Sequence, residues 1–191
     1  MKGIAGNFTI VLFALLLVGN AANGQDRKLL QLARSEVTFV SDAPLERITA
    51  KNTSCTGLVD TDAKTFAVRV PIREFEGFNS PLQREHFNEN YMASRELPNA
   101  TFAGRIIEDI DFLQNGSYVV RAKGALIVHG MEKERIIPCS IVVTEEGVRI
   151  TSLFDIQLAD HEVLIPRIVQ QKIASIIQVK VDLLFKREPK R

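Results

Sequence analysis

The sequence has no tryptophan, only two cysteines, only three histidines and no surplus of either charge. Each shortage removes a class of explanation. Lysine and arginine total 24 against 23 acidic residues in a 191-residue chain. This balance favours neither a nucleic-acid backbone nor an anionic membrane surface as partner. Two cysteines cannot make a disulfide framework, although an oxidising compartment would permit one bridge. Cys139 is in phase with Ile137, Ile141 and Val143, an apolar face, whereas Cys55 is in phase with Thr49, Lys51 and Thr53, a wet one. Opposite faces argue for two free thiols. The sequence also lacks a Gly-x-Ser-x-Gly elbow, a His-Glu-x-x-His pair and a phosphate loop. Glu85-His86 and Asp160-His161-Glu162 are its nearest approach to a metal site. A metal needs three or four converging ligands, and these are dispersed. The reading therefore expects no metal, no cofactor and no catalytic residues.

Long apolar runs are scarce too. The one substantial run covers residues 8–18, behind Lys2 and ahead of Ala22-Asn23-Gly24. A short positive start, an apolar centre and small residues at the cut make a secretory signal peptide. A run of roughly 11 residues is too short to span a hydrocarbon core that needs about 20. Cleavage after Gly24 would leave residues 25–191 as one soluble domain outside the cytoplasm. Asn-x-Ser/Thr sequons stand at Asn7, Asn52, Asn99 and Asn115, of use only in a glycosylating host.

What remains is rich in alternation. Val37 and Phe39, then residues 48–59, then Phe66, Val68, Val70 and Ile72 read as three strands. Residues 101–107, 118–128, 135–143, 148–158 and 176–185 complete about eight. Strict alternation means one buried and one wet face per strand. Asn115-Gly116 reads as a hairpin turn, and His129-Gly130-Met131 and Glu145-Glu146-Gly147 read likewise. Ser80-Pro81-Leu82-Gln83 has the form of a helix start, with the helix running to about Met92 and Leu82, His86 and Phe87 turned inward. A second short helix is expected from Pro166 to Ala174, with Ile168, Val169 and Ile173 on one face. The final Lys186 to Arg191 reads as a frayed tail. Eight antiparallel strands can hide their apolar faces in a closed barrel, which also removes sheet edges. A two-sheet sandwich is the competitor.

Three stretches carry a resemblance. They are Gln83-Arg84-Glu85-His86-Phe87-Asn88-Glu89-Asn90-Tyr91-Met92, Leu97-Pro98-Asn99-Ala100-Thr101-Phe102, and Gly124-Ala125-Leu126-Ile127-Val128-His129-Gly130-Met131-Glu132-Lys133. In this order and spacing they resemble the YceI-like family. Ile127, Glu132 and Leu97 depart from its usual residues, which puts a head group's identity in doubt. The resemblance implies a mainly all-β fold, an eight-stranded antiparallel lipocalin-like β-barrel with two short helices. It implies a periplasmic binding or carrier protein, not an enzyme, that sequesters an amphipathic long-chain lipid, a polyisoprenoid or fatty-acid derivative, in an apolar cavity. A membrane protein could donate or receive that lipid, and a dimer is compatible.

By strand phase, the inward candidates are Phe39, Phe66, Val68, Phe102, Leu126, Val128, Ile141 and Phe154. Phe75, Phe78, Phe87 and Tyr91 lie near the first helix, which could act as a lid. The same residues would equally pack a filled core in a barrel serving stress or interaction roles. His86 and His129 could touch a head group, fix the lid, or simply make structural hydrogen bonds. They would also be the acid/base pair if the protein were an enzyme on a hydrophobic small molecule.

Overall fold

The computed structural model describes residues 29–187. The expected signal peptide, the Asn7 sequon and the last four residues lie outside the described residues. Nine strands follow in chain order: β1 (Leu29–Asp42), β2 (Arg47–Asn52), β3 (Thr56–Asp60), β4 (Thr65–Pro71), β5 (Asn99–Ile106), β6 (Gly116–Val128), β7 (Met131–Thr144), β8 (Gly147–Gln157) and β9 (Ile176–Arg187). From β3 onward each strand pairs antiparallel with the next, and β1 pairs with both β3 and β9, which closes the sheet. The closed antiparallel barrel has eight positions.

The expected strand over residues 48–59 is two strands in one position. β2 and β3 keep a single register along β1, with Val37 opposite Asn52 and Leu29 opposite Asp60. The break is chemical. Asn52 is fully buried, and its Oδ1 accepts the Ser54 N–H at 2.8 Å while its Nδ2 donates to the Pro71 carbonyl. That Asx-type turn offers the backbone an alternative to the ladder. It also removes Asn52 as a glycosylation acceptor, and it turns Cys55 from the expected wet face to a half-buried place against the core. Both cysteines are free.

Two other expectations fail for related reasons. Asn115-Gly116 is not a hairpin turn. Gly116 already pairs with Val143, and the 107–115 connection folds Ile110 and Phe112 into the barrel end, where both are buried. The segment expected as a second helix holds one 3-10 turn, Arg167–Val169, with no side-chain cap. Its β-branched residues favour the α-helix poorly, and Ile168 points to solvent, 91% exposed. The other turns hold. His129 and Gly130 both take positive φ, 50° and 73°, between the paired Val128 and Met131, the backbone of a two-residue type I′ turn. Glu145 and Glu146 link Thr144 to Gly147. Lys186 and Arg187 extend β9 rather than fraying.

The wall is tightest where β5 crosses β6. Gly104 faces Gly124, and a Cβ on Gly124 would stand 2.2 Å from the Ala103 carbonyl oxygen. Between the long strands β7 and β8 the ladder is partial, covering only Ser140–Thr144 against Gly147–Thr151. Beyond it Pro138 has no N–H to give. The strands are held instead by Ser152 Oγ donating to the Pro138 carbonyl (2.7 Å) and Arg135 Nη2 donating to the Asp155 carbonyl (2.9 Å).

Candidate functional site

The inward faces of the strands do not fill the barrel. They enclose a cavity of about 580 Å³, within the range of small-molecule pockets. Ile110 and Phe112, with Ile106, Val143, Val148 and Phe185, seal one end. The other end opens between three segments: the β1–β2 connection, the helix α1 (Pro81–His86), and the β8–β9 connection. On the cavity wall the Phe66 and Phe102 rings meet with centroids 5.0 Å apart. Cys139 and Ser152 are among the few polar side chains of the deep wall. Burial pushes the Cys139 thiol pKa up, so it stays neutral.

A cover lies across the open end. Ser80 Oγ caps α1 by accepting the Gln83 N–H at 3.1 Å, and Pro81 follows at the first helical position. The Gln83 side chain then turns back: its Oε1 accepts the Asn79 N–H and its Nε2 donates to Glu46 Oε1 at 2.9 Å. The cap thereby fastens the helix to the β1–β2 connection. After His86 the helix widens into a π turn, Phe87–Tyr91, where the Met92 N–H donates to the Phe87 carbonyl. Such π turns cluster at functional sites. Here the turn brings Phe87 into a ring cluster with Phe39, Phe75 and Phe78, with centroid distances of 5.1 to 5.9 Å. Burial also pushes the Tyr91 phenol up.

The sequence-predicted residues separate cleanly by position. Phe39, Phe66, Val68, Phe75, Phe78, His86, Phe87, Tyr91, Phe102, Leu126, Val128, Ile141 and Phe154 all stand on the cavity wall. His129 does not. It sits in the β6–β7 turn with Nδ1 at 3.1 Å from the His161 carbonyl. His161 is fully buried, with its own Nδ1 at 3.1 Å from the Met131 carbonyl and its Nε2 without a partner. A carbonyl can only accept, so each ring carries its proton on Nδ1. These two histidines fasten the β8–β9 connection to the β6–β7 turn. Leu82 and His86 line the mouth yet remain exposed, so they form its rim rather than pointing inward.

Phase reasoning named His86 but not the rest of the polar arc of that rim. Glu46, Ser80, Gln83 and Lys172 join His86 at the opening. Glu46 and Lys172 lie in connections between strands, where period-two alternation carries no signal. Ile48 on β2 and Val179 and Leu183 on β9 also line the wall, and the same alternation that named the others would have found them.

The barrel has solved counterparts. The crystal structure of BcnA from Burkholderia cenocepacia matches with a TM-score of 0.64 and 15% identity, over 78% of this chain and 94% of that one. A polyisoprenoid binding domain from Saccharophagus degradans, implicated in plant cell wall breakdown, matches with a TM-score of 0.71 and 12% identity, over 84% and 99%. The Campylobacter jejuni YceI protein matches with a TM-score of 0.54 and 15% identity, over 72% and 81%. At such identities these likenesses establish the fold. A search of curated proteins returns no match. The family model of the YceI-like domain matches residues 29–185, nearly the whole barrel together with its cover and both halves of its rim, and the chain belongs to that family.

Proposed function

We propose that this protein binds and carries an amphipathic long-chain lipid, isoprenoid-like or acyl, with the tail in the barrel and the head at the rim. The observation that carries this reading is the open-ended cavity of about 580 Å³, mostly apolar along its depth and with a polar arc at its mouth. Burying an alkyl or prenyl chain gains about 0.8 kcal/mol per methylene, so tight binding needs little polar help. Cavity length and girth then set specificity. The solved Saccharophagus degradans domain is described as polyisoprenoid binding, which points to the same chemical class. An export signal at residues 1–24 would deliver the carrier to the periplasm, where lipids must cross water between membranes. The mechanism is burial rather than reaction. His129 is held in a turn away from the cavity, which leaves His86 without the partner an acid/base pair would need.

Lipid extraction and mass spectrometry of the purified protein test the proposal. A stoichiometric long-chain lipid that survives His86→Ala supports the carrier. A protein that never retains such a lipid, or one whose turnover of a hydrophobic substrate vanishes with His86→Ala while the fold persists, would overturn it.

A further inference from the structure

The cavity mouth carries large apolar side chains that face solvent instead of the interior. Leu45 is 66% exposed, Leu82 57%, Leu164 83% and Ile168 91%. They come from the three segments that frame the opening: the β1–β2 connection, α1, and the β8–β9 connection. Hydrogen bonds tie α1 and the β8–β9 connection each to the β1–β2 corner. The Leu45 N–H donates to the Gln171 carbonyl at 2.8 Å, the Ala174 N–H donates to Ser41 Oγ at 2.9 Å, and Gln83 reaches Glu46 at 2.9 Å. The apolar tips are therefore presented by a braced frame, at the one end of the barrel where the cavity opens.

One of the three segments is also cationic over its exposed apolar stretch. The chain as a whole is near neutral, but from residue 163 to residue 173 the only charged side chains are Arg167 and Lys172. Neither is in an ion pair among the described residues. They flank Ile168 along the segment, and Lys172 is also on the cavity wall. Leu45 stands beside Glu46, and Leu82 shares its helix with Arg84 and Glu85, so the cationic stretch is the one that carries Leu164 and Ile168; apolar tips beside unpaired cations suit a fluid apolar phase beneath an anionic surface. A folded partner or a second copy would instead need a continuous, complementary apolar patch. The position adds a reason for contact. If the rim lies against acyl chains, the mouth opens into them.

We propose that the rim bearing Leu45, Leu82, Leu164 and Ile168 seats on a bilayer that contains anionic lipid, so that a tail moves between membrane and cavity without crossing water. This rests on the lipid-carrier reading, and its test is arranged to fail separately. Because the chain has no tryptophan, a single introduced indole is a clean probe. The full chain is prepared as Ile168→Trp and, as a control on the outer wall, Leu153→Trp. Each is mixed with phosphatidylcholine–phosphatidylglycerol vesicles whose acyl chains are brominated. The proposal expects the indole at position 168 to shift to the blue and be quenched, while that at 153 stays aqueous. In parallel, Leu45→Asp combined with Ile168→Asp should slow lipid transfer to acceptor vesicles by about tenfold or more, with the amount of lipid bound at equilibrium unchanged. Quenching at neither position, or equally at both, overturns the proposal. A blue shift at 168 that grows with protein concentration and needs no vesicles assigns the rim to a second copy and also overturns it. The indole readout needs no cavity ligand, so a failure of lipid binding and a failure of membrane seating are told apart.

Discussion

Phe39 on β1 and Phe87 at the start of the π turn stack with centroids 5.3 Å apart and planes 18° from parallel. This pair links the barrel wall to the cover across its mouth. Aromatic pairs of this kind contribute about 0.5–1.5 kcal/mol beyond the area they bury. Phe87→Ala should destabilise the protein by about 2 kcal/mol, below the about 3–5 kcal/mol of a fully buried aromatic because Phe87 is only half-buried. It should also speed release of a fluorescent acyl probe. Thermal unfolding and probe-displacement kinetics measure the two effects. A slower release would mean that the cover does not limit escape.

The Phe66 and Phe102 rings meet side by side on the cavity wall. Phe102→Trp should add bulk there and leave the fold intact at a cost of about 1–3 kcal/mol. The longest tails should disappear from the extracted lipid first. An unchanged lipid profile by mass spectrometry would show that tails do not pass this point.

Gly124 has no room for a methyl group. Its Cβ would meet the Ala103 oxygen at 2.2 Å and the Ala103 carbonyl carbon at 2.8 Å, and both are backbone atoms of a paired strand. Gly124→Ala should lower the urea midpoint by about 1–3 kcal/mol or more in stability. Gly116→Ala offers the contrast, since its nearest neighbour is the tip of the Tyr118 ring at 3.1 Å. That ring can swing away, so the loss should be smaller.

Arg149 and Asp182 bridge β8 and β9 on the outer wall through two hydrogen bonds. The hydrogen bond from Arg149 is the largest cause holding the Asp182 carboxyl below its usual range, helped by the charges of Arg149, Arg34 and Lys180. A carboxyl lowered in the folded state stabilises the protein above its unfolded pKa, near 3.9. That contribution is lost as pH falls toward the lower folded value. Asp182→Asn should therefore lose stability at pH 7 and differ little from the parent near pH 2. Urea midpoints at the two pH values measure this, and a loss of equal size at both would assign Asp182 a packing role instead.

The strands were legible because alternation is a direct image of a wall with one wet and one apolar face. Phe39, Phe66, Val68, Phe102 and Phe154 could each be placed inward on phase alone. The break at 53–55 was not legible as such, because it depends on what Asn52 finds when buried: the Pro71 carbonyl, distant in sequence. The 107–115 connection misled for a similar reason. Asn115-Gly116 has the chemistry of a turn, but Ile110 and Phe112 are needed to close the barrel end, and that need is tertiary. Whether the barrel holds a cavity was illegible in principle. A filled and a hollow interior present the same alternation, and only the fit of side chains across the barrel decides between them. The rim was hidden in connections, where Glu46, Leu45, Ile168 and Lys172 obey no period.

The partial ladder between β7 and β8 grades the wall along its axis. Near the sealed end the two strands share a regular register, and widening there would break backbone bonds one after another. Toward the mouth Pro138 and the two side-chain bridges leave the same pair of strands with slack. Girth is thus fixed at depth and forgiving at the opening, so that, on the proposed carrier reading, the molecule would gauge how long and how slender a tail is and judge the bulk that follows it with indifference.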